Sequence, residues 1–167
     1  MNAESSYIKL LENLRQRLQA GSFELAGLAM GGAWIAQRLA QDLGLPHYGV
    51  INVAFHRDDY AEKGMTALRT ASTMSTDLPF DVNGAHVILI DDVLFTGRTV
   101  RAALNELFDF GRPAQVDLMV LADRGKRELP VCANFVGEEI QIPEEQILVL
   151  EKDLAGKFSF QLEEREE

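Results

Sequence analysis

Two consecutive carboxylates, Asp91 and Asp92, stand shortly before a polar turn that contains Thr96, Gly97 and Thr99. Hydroxyl groups, a glycine that lets a ligand approach the backbone and the N–H groups of a following helix can hold a phosphate without a basic side chain. The paired acids would repel a phosphate, but they can accept hydrogen bonds from vicinal ribose hydroxyls or bind Mg²⁺. The spacing therefore predicts a sugar-phosphate site, with the diol at the acids and the phosphate at the turn.

The same residues could form a plain solvated connection between a strand and a helix, with no ligand. The flanking elements indicate where they lie. Residues 87–90 are apolar and rich in β-branched side chains, which predicts a strand buried on both faces. Apolar residues recur at helical spacing between positions 100 and 107, and either Thr96 or Thr99 is an expected helix cap.

A second strand, glycine turn and helix are predicted nearer the N-terminus. Residues 23–28 indicate a short strand, Gly31 and Gly32 follow it, and a helix is expected over residues 33–43. The two glycines could allow close packing of the helix, or they could bring the backbone close to a ligand. The residues alone leave both interpretations open.

The remaining pattern predicts an α/β fold, a mostly parallel twisted sheet with helices on its faces. A first helix is expected over residues 5–19, with Ser5 or Ser6 as its cap and Gly21 as its end. Further strands are expected over residues 50–55, 116–121, 134–136, 147–150 and 158–162. Ligands bind outside the carboxyl ends of such strands, where the loops after residues 28, 55, 90 and 121 would meet.

The polar stretch over residues 56–81 is long for a connection in a compact domain. It predicts a lid, or hood, over the site, although a pair of irregular strands would also account for it. Arg57, at the start of this stretch, is a candidate contact for a phosphate group. It could equally be an ordinary surface arginine.

The chain of 167 residues fits a single domain, with 47% hydrophobic and 25% charged residues. No apolar run is long enough to span a membrane, and the first 18 residues do not have the pattern of a signal peptide. A lone cysteine, Cys132, predicts a reducing cytoplasmic location, and the three histidines have no metal-ligand spacing. The net charge of −10 argues against a protein that lives by binding DNA or RNA.

The string I-L-I-D-D-V-L-F-T-G-R-T, which ends at Thr99, resembles the phosphoribosyl-pyrophosphate signature of type I phosphoribosyltransferases. Blocks at residues 31–39, 54–60, 110–114 and 120–130 occur in the same order as in the PyrR family of pyrimidine-operon regulators and uracil phosphoribosyltransferases. The resemblance implies a phosphoribosyltransferase fold with a small hood. It also implies transfer of a phosphoribosyl group to uracil, giving UMP and pyrophosphate with Mg²⁺ as cofactor, and assembly as a homodimer or homotetramer.

The resemblance also implies a role for each matching residue. Asp91 and Asp92 would contact the ribose and hold Mg²⁺, directly or through water, and with Arg57 they are the catalytic candidates. The backbone amides of Met30 and Gly31 would contact the pyrophosphate. The other implied substrate contacts are the 5′-phosphate turn, with Thr96, Gly97, Arg98 and Thr99, and the uracil pocket along residues 121–125, with Asp123 and Arg124.

The chain departs from the family pattern in two places. Relatives are expected to carry a polar or basic residue and then Thr or Arg where this chain has Ala29 and Met30. Loss of one charged hydrogen bond there would cost about 1.5–3 kcal/mol, or roughly tenfold or more in affinity. Met30 could also be a packing residue beneath an intact loop.

The second departure concerns RNA. Lys126 and Arg127 are present, but Cys132 and Glu138 occupy positions where RNA-binding relatives tend to carry basic groups, and Glu139 adds another negative charge. These residues argue against specific RNA binding. Two alternative functions remain open, a nucleotide-sensing regulator without enzymatic activity and a phosphoribosyltransferase for another base.

Overall fold

The bounds of the helices and strands come from a computed structural model, which describes residues 1–53 and 75–166. The described helices are α1 (Ala3–Ala20), α2 (Gly31–Leu43) and α3 (Arg98–Asp109). The described strands are β1 (Glu24–Leu28), β2 (Gly49–Ile51), β3 (His86–Leu94), β4 (Gln115–Asp123), β5 (Phe135–Glu139), β6 (Gln146–Lys152) and β7 (Phe158–Glu164). Arg57 and most of the expected hood lie outside the described residues.

A parallel sheet forms the centre of the fold, with its described strands in the order β2-β1-β3-β4-β5. This confirms the predicted α/β architecture. Residues 87–90 of β3 are all apolar, so both faces of this strand must be covered by other elements. A central position in the sheet allows this, and these residues are at most 1% exposed. The described helices supply that cover.

The two faces of β3 face different helices. Ile88 and Ile90 belong to a core shared with α1, α2 and the hairpin formed by β6 and β7. Val87 and Leu89 belong to a second core, which includes the apolar face of α3. The alternation of side chains along the strand therefore divides the interior into two layers.

The β6–β7 pair forms a separate antiparallel hairpin beside the parallel sheet. The strands were predicted near these positions, but their pairing with each other was not. Phe158, at the start of β7, is 2% exposed and packs edge-on against Tyr7 of α1 at a centroid distance of 5.6 Å. This contact fixes the hairpin against the first helix.

Several predicted boundaries need correction. Helix α1 begins at Ala3, and Asn2 caps it by accepting a hydrogen bond from the Ser5 N–H, so the predicted caps Ser5 and Ser6 are wrong. Asparagine is as favourable at the N-cap as serine, and Asn2 directly precedes Ala3, the first residue of the helix. Gly21 ends the helix as predicted.

The described end of the hood stretch, residues 75–81, is tied to the body of the protein. Asp77 pairs with Val50 through backbone hydrogen bonds of 2.8 and 2.9 Å. The Thr76 hydroxyl accepts from the Asn52 N–H and donates to Glu106 of α3. Within the described parts of the chain, no helix is long and apolar enough to cross a membrane.

Candidate active site

The acidic pair lies within the last part of β3, which continues to Leu94. The predicted strand was therefore too short at its carboxyl end, because Val93 and Leu94 continue the pairing with Ala122 and Asp123 of β4. Polar residues in a strand give no apolar signal, so the sequence pattern could not show this extension.

The start of α2 packs directly against the acidic pair. Strand β1 ends beside β3, with Gly27 paired to Ile90, and the chain then turns at once into the helix. A side-chain carbon added to Gly31 would lie 2.4 Å from the Asp92 Oδ2 atom, and one added to Gly32 would lie 2.2 Å from the Ile90 carbonyl oxygen. Both glycines lie inside the first turn of α2, not in a preceding loop as predicted. Their lack of side chains is what permits the approach.

The two acids have different surroundings. Asp91 is 1% exposed and its Oδ1 accepts the Asp92 N–H at 2.9 Å, whereas Asp92 is half-buried and its Oδ1 accepts the Val93 N–H at 2.8 Å. Successive residues of a strand point to opposite faces, which explains the difference. Asp92 is therefore the acid that lies against α2, where the positive end of the helix dipole favours a carboxylate.

The predicted phosphate turn connects β3 to α3. Gly97 is the N-cap residue of α3 with a φ of 94°, a left-handed conformation that favours glycine. The expected cap by Thr96 or Thr99 is wrong, because Gly97 takes the N-cap position and offers no side-chain acceptor. The Thr96 hydroxyl instead accepts the Arg98 N–H at 3.2 Å, and Thr99 is 2% exposed.

The loop after β4 supports this turn from outside. The Thr96 carbonyl accepts the N–H groups of Glu128 and Leu129 at 2.9 and 3.1 Å, and the Arg98 Nε donates to the Glu128 carboxylate at 2.8 Å. A side-chain carbon at Gly97 would lie 3.1 Å from Val131. The turn therefore depends on two chain segments, not on its own sequence alone.

Arg127 joins these two segments through three hydrogen bonds. Its guanidinium donates to the Phe95 carbonyl at 2.8 Å, to the Val131 carbonyl at 2.9 Å and to the Asp123 carboxylate at 2.6 Å. The other Asp123 oxygen accepts the Gly125 N–H at 2.8 Å. Arg127 therefore holds the predicted phosphate turn and the predicted base loop in a fixed relation, a role that sequence reasoning missed because these contacts are tertiary.

Arg124 is buried, with 7% exposure. Its guanidinium lies over the Phe95 ring at 3.8 Å and donates to the Pro143 carbonyl at 3.0 Å, and its backbone N–H donates to the Leu94 carbonyl. Burial, and then the nearby charge of Arg165, lower the pKa of Arg124. The Arg124 side chain is thus held by the Phe95 ring and the Pro143 carbonyl.

The structure brings most of the predicted site residues to one edge of the sheet. Those on the three neighbouring strand ends and their loops are Met30, Gly31, Asp91, Asp92, Thr96, Gly97, Arg98, Thr99, Asp123 and Arg124. Met30 is half-buried at the start of α2, and its peptide bond with Ala29 is cis. Arg57 cannot be placed, because it lies outside the described residues.

The acidic pair suits one particular mode of Mg²⁺ binding. Within the described residues, no cluster of three or more His, Cys, Asp or Glu side chains could hold a metal ion by itself. Mg²⁺ is often bound through one or two carboxylates together with substrate phosphates and waters. Asp91 and Asp92 fit an ion that is shared with a phosphorylated ligand.

Comparisons with known proteins agree with this geometry. The sequence model of the phosphoribosyl transferase domain matches residues 2–149. The fold resembles that of a hypoxanthine-guanine phosphoribosyltransferase from Bacillus anthracis, with a TM-score of 0.60, 15% identity and coverage of 83% of this chain and 77% of that one. Because the family model covers most of the chain, it places the protein among the type I phosphoribosyltransferases, and the parallel sheet agrees with that assignment.

Sequence relatives define the family more narrowly. The bifunctional protein PyrR of Ralstonia nicotianae is 50% identical over 166 residues, which cover 96% of this chain and 93% of the relative. The protein of the same name from Nitrosococcus oceani is 42% identical over 154 residues, with coverage of 88% and 85%. The chain belongs to the PyrR family.

Proposed function

We propose that the protein is a uracil phosphoribosyltransferase that also takes part in regulating pyrimidine biosynthesis genes. The reaction joins uracil to phosphoribosyl pyrophosphate and gives UMP and pyrophosphate. The observation that carries this proposal is the close approach of the start of α2 to Asp92, which lies on the strand that leads into the turn at Gly97. One edge of the sheet thus offers acceptors for a diol and amide donors for phosphate groups.

The residues divide the chemistry of the transfer. The bond between the anomeric carbon and the pyrophosphate oxygen breaks while the bond to a ring nitrogen of uracil forms, and that nitrogen releases its proton to the departing pyrophosphate or to water. Positive charge grows on the ribose ring, and the Asp91 and Asp92 carboxylates stabilise it while they hold the hydroxyls. The N-terminus of α3 holds the 5′-phosphate and so fixes the ribose relative to the acids.

The departing pyrophosphate needs stabilisation on the other side of the ribose. The backbone of Met30 and Gly31 at the start of α2 supplies it, and Arg57 is a further candidate. Bound Mg²⁺ would neutralise the charge that grows on the pyrophosphate oxygens. A hydrophobic residue at position 30 adds no charged donor, so we expect weaker pyrophosphate binding than in a relative with Thr or Arg there.

The rigid loop after β4 is the proposed base pocket. Asp123 is held by Arg127 and by the Gly125 N–H, so both of its carboxylate oxygens already accept hydrogen bonds. The Arg124 guanidinium is held against Phe95. These contacts favour recognition of uracil through main-chain groups of the loop, with Asp123 and Arg124 setting its shape.

The activity can be tested with labelled uracil, phosphoribosyl pyrophosphate and Mg²⁺, with formation of UMP as the readout. The Asp91→Asn and Asp92→Asn variants should lose most of the activity, whereas Asp109→Asn, at the exposed end of α3, should retain it. Parallel reactions with hypoxanthine, guanine and orotate test transfer to another base. No product with any base would favour the alternative of a nucleotide sensor, provided that UMP still binds.

The regulatory half of the proposal has its own test. Lys126 forms an ion pair with Glu144, and Arg127 faces inward, so neither contributes a free positive charge to the surface of this loop. Glu138 pairs with the N-terminal amine at 3.8 Å, and Glu139 is exposed. We therefore expect a gel-shift with a pyrimidine operon leader transcript to show no specific complex at moderate salt, and regulation to act through a protein partner.

We also propose a homodimer or homotetramer in the cytoplasm. Phe108 and Phe110, at the end of α3, are 53% and 48% exposed, and large exposed apolar side chains often mark contact surfaces. Sedimentation analysis of the wild type beside Phe108→Ser tests this expectation. A monomer at micromolar concentration would contradict it.

A further inference from the structure

Two arginines that are distant in sequence meet at one aromatic ring. The guanidinium carbon of Arg124 lies 3.8 Å from the centroid of the Phe95 ring, and that of Arg165, just after β7, lies 5.8 Å from it. The two guanidinium carbons are therefore no farther apart than the sum of these two distances. Arg165 is held in place by its backbone N–H, which donates to the Glu145 carbonyl at 2.7 Å.

Neither cation has a carboxylate partner within residues 1–53 and 75–166. Arg124 donates to the Pro143 carbonyl, a neutral acceptor, although it is 93% buried. The Nε atoms of both arginines are buried and have no hydrogen-bond partner there. A buried charged donor without an acceptor is costly, so this arrangement is incomplete as it stands.

The local field adds to that cost. Two effects disfavour the charged form of Arg124 and so lower its pKa. The first is its own burial, and the second is the positive charge of Arg165. The chain as a whole carries a net charge of −10, and Glu163, Glu164 and Glu166 surround Arg165 in sequence. All three of these glutamates are exposed and form no ion pair with either arginine in the described structure. The acids that could neutralise the pair lie nearby in sequence but do not do so.

We propose that Arg124 and Arg165 form a second anion-binding site, which takes a phosphate group. Two guanidinium groups that share one neighbourhood match a doubly charged oxyanion in charge and in number of donors. The phosphate could be free or part of a nucleotide, since both present the same oxygens. This site is distinct from the phosphate turn, whose donors come from the N-terminus of α3.

The location gives the bound anion a route to the proposed active site. Phe95 directly precedes the phosphate turn, and its carbonyl accepts a hydrogen bond from Arg127. An anion that fixes the two guanidinium groups therefore also fixes the ring between β3 and the turn. Binding at this site would therefore order the turn through Phe95.

The test is a titration followed through the Nε–Hε signals of the arginine side chains in ¹⁵N-labelled protein. Inorganic phosphate, pyrophosphate and UMP are added in separate experiments, against sodium chloride at equal ionic strength. We expect the Arg124 and Arg165 signals to move together and to saturate with at least one phosphate compound. The compound that saturates first identifies the source of the phosphate, and the Arg98 signal reports the phosphate turn separately.

The Arg165→Gln variant isolates the second site, with Arg15→Gln on the exposed side of α1 as its control. We expect Arg165→Gln to weaken the response of the Arg124 signal about tenfold or more, while the Arg98 response is unchanged. Thermal unfolding gives an independent readout. In chloride, Arg165→Gln should be at least as stable as the wild type, because one of two like charges is gone, and phosphate should stabilise the wild type more than the variant.

Two results would overturn the proposal. The first is a set of Arg124 and Arg165 signals that respond equally to chloride and to every phosphate compound. The second is an Arg165→Gln variant that loses the same stability in chloride and in phosphate, which would make Arg165 a purely structural residue. Neither result depends on whether the protein transfers a phosphoribosyl group, so failure here is distinguishable from failure of the proposed function.

Discussion

The contact between α2 and the acidic strand end can be broken by one added methyl group. In Gly31→Ala, the new carbon would lie 2.4 Å from the Asp92 Oδ2, 2.8 Å from its Cγ and 3.0 Å from its Cβ. All three distances are shorter than van der Waals contact, so the Asp92 carboxylate must rotate away and the backbone must shift slightly to relieve the contact with the Asp92 Cβ. Overpacking of this kind costs about 1–3 kcal/mol. The better helix propensity of alanine offsets up to about 1 kcal/mol of that cost.

The functional loss should exceed the loss of stability. Displacement of one carboxylate that binds a ribose hydroxyl removes a charged hydrogen bond worth about 1.5–3 kcal/mol, so affinity for phosphoribosyl pyrophosphate should fall about tenfold or more. Gly32→Ala should behave differently, because its new carbon meets the Ile90 carbonyl oxygen at 2.2 Å, and a backbone atom of a central strand cannot move aside. That variant should lose about 3 kcal/mol of stability or more.

Calorimetric binding and urea unfolding measure these effects. Gly21→Ala is the matched control, because a side chain there meets nothing within 4 Å and its φ of 164° is extended backbone. Its stability and donor affinity should equal those of the wild type. A Gly31→Ala variant that binds the donor as tightly as the wild type would show that Asp92 is not displaced or does not hold the ribose.

Three further outcomes follow from described contacts. Arg127→Ala should lower the free energy of unfolding in urea by about 2–4 kcal/mol, since it leaves Asp123 and two carbonyls without their donor, whereas Lys126→Ala at the exposed neighbouring position should change it by less than about 1 kcal/mol. Leu14→Ala, at a fully buried position of α1, should cost about 2–5 kcal/mol in the same measurement, and a smaller loss would contradict the tight packing of that helix. Asp117→Asn should flatten the decline in the free energy of unfolding at acid pH.

Asp117 lies at the end of the sheet opposite the candidate active site. Burial raises its pKa, but hydrogen bonds from Gln115 and His86 and the charges of His86 and Arg17 lower it more, so the pKa lies below its ordinary 3.8. Because the pKa is lower in the folded state, this stabilisation is complete above about pH 3.8 and is lost as the pH falls through the folded-state pKa. Urea unfolding of the wild type and Asp117→Asn between pH 5 and pH 2 should therefore show a shallower decline for the variant, and parallel curves would contradict this account.

The sequence was most informative where a residue type had one physical use. Residues 87–90 could be read as a strand buried on both faces, and Gly21 as the end of α1. The carboxyl end of β3 could not be read, because Asp91 and Asp92 interrupt the apolar run while the backbone pairing with β4 continues. The local hydrophobic pattern of a sequence indicates which side chains are buried, but it does not indicate where backbone pairing ends.

The residues of the candidate site could be proposed from the sequence, whereas the contacts that hold them in place could not. The acids, Gly97 and the threonines stand close together in sequence and have types that suit a sugar phosphate. The contact of Gly31 with Asp92 spans 61 positions, and that of Phe95 with Arg165 spans 70, so no short spacing could reveal either. The sequence does not distinguish Arg127 from a surface cation, because its three hydrogen-bond acceptors meet around it only in the folded chain.

The central claim is that one edge of the parallel sheet holds phosphoribosyl pyrophosphate between the acids of β3 and the start of α3. A crystal structure of the protein with this compound and Mg²⁺ tests it most directly. We expect the ribose hydroxyls within hydrogen-bond distance of the Asp91 and Asp92 carboxylates, and the 5′-phosphate on the backbone N–H groups that follow Gly97. A fully occupied ligand bound elsewhere, with these groups free of contact, would contradict the account.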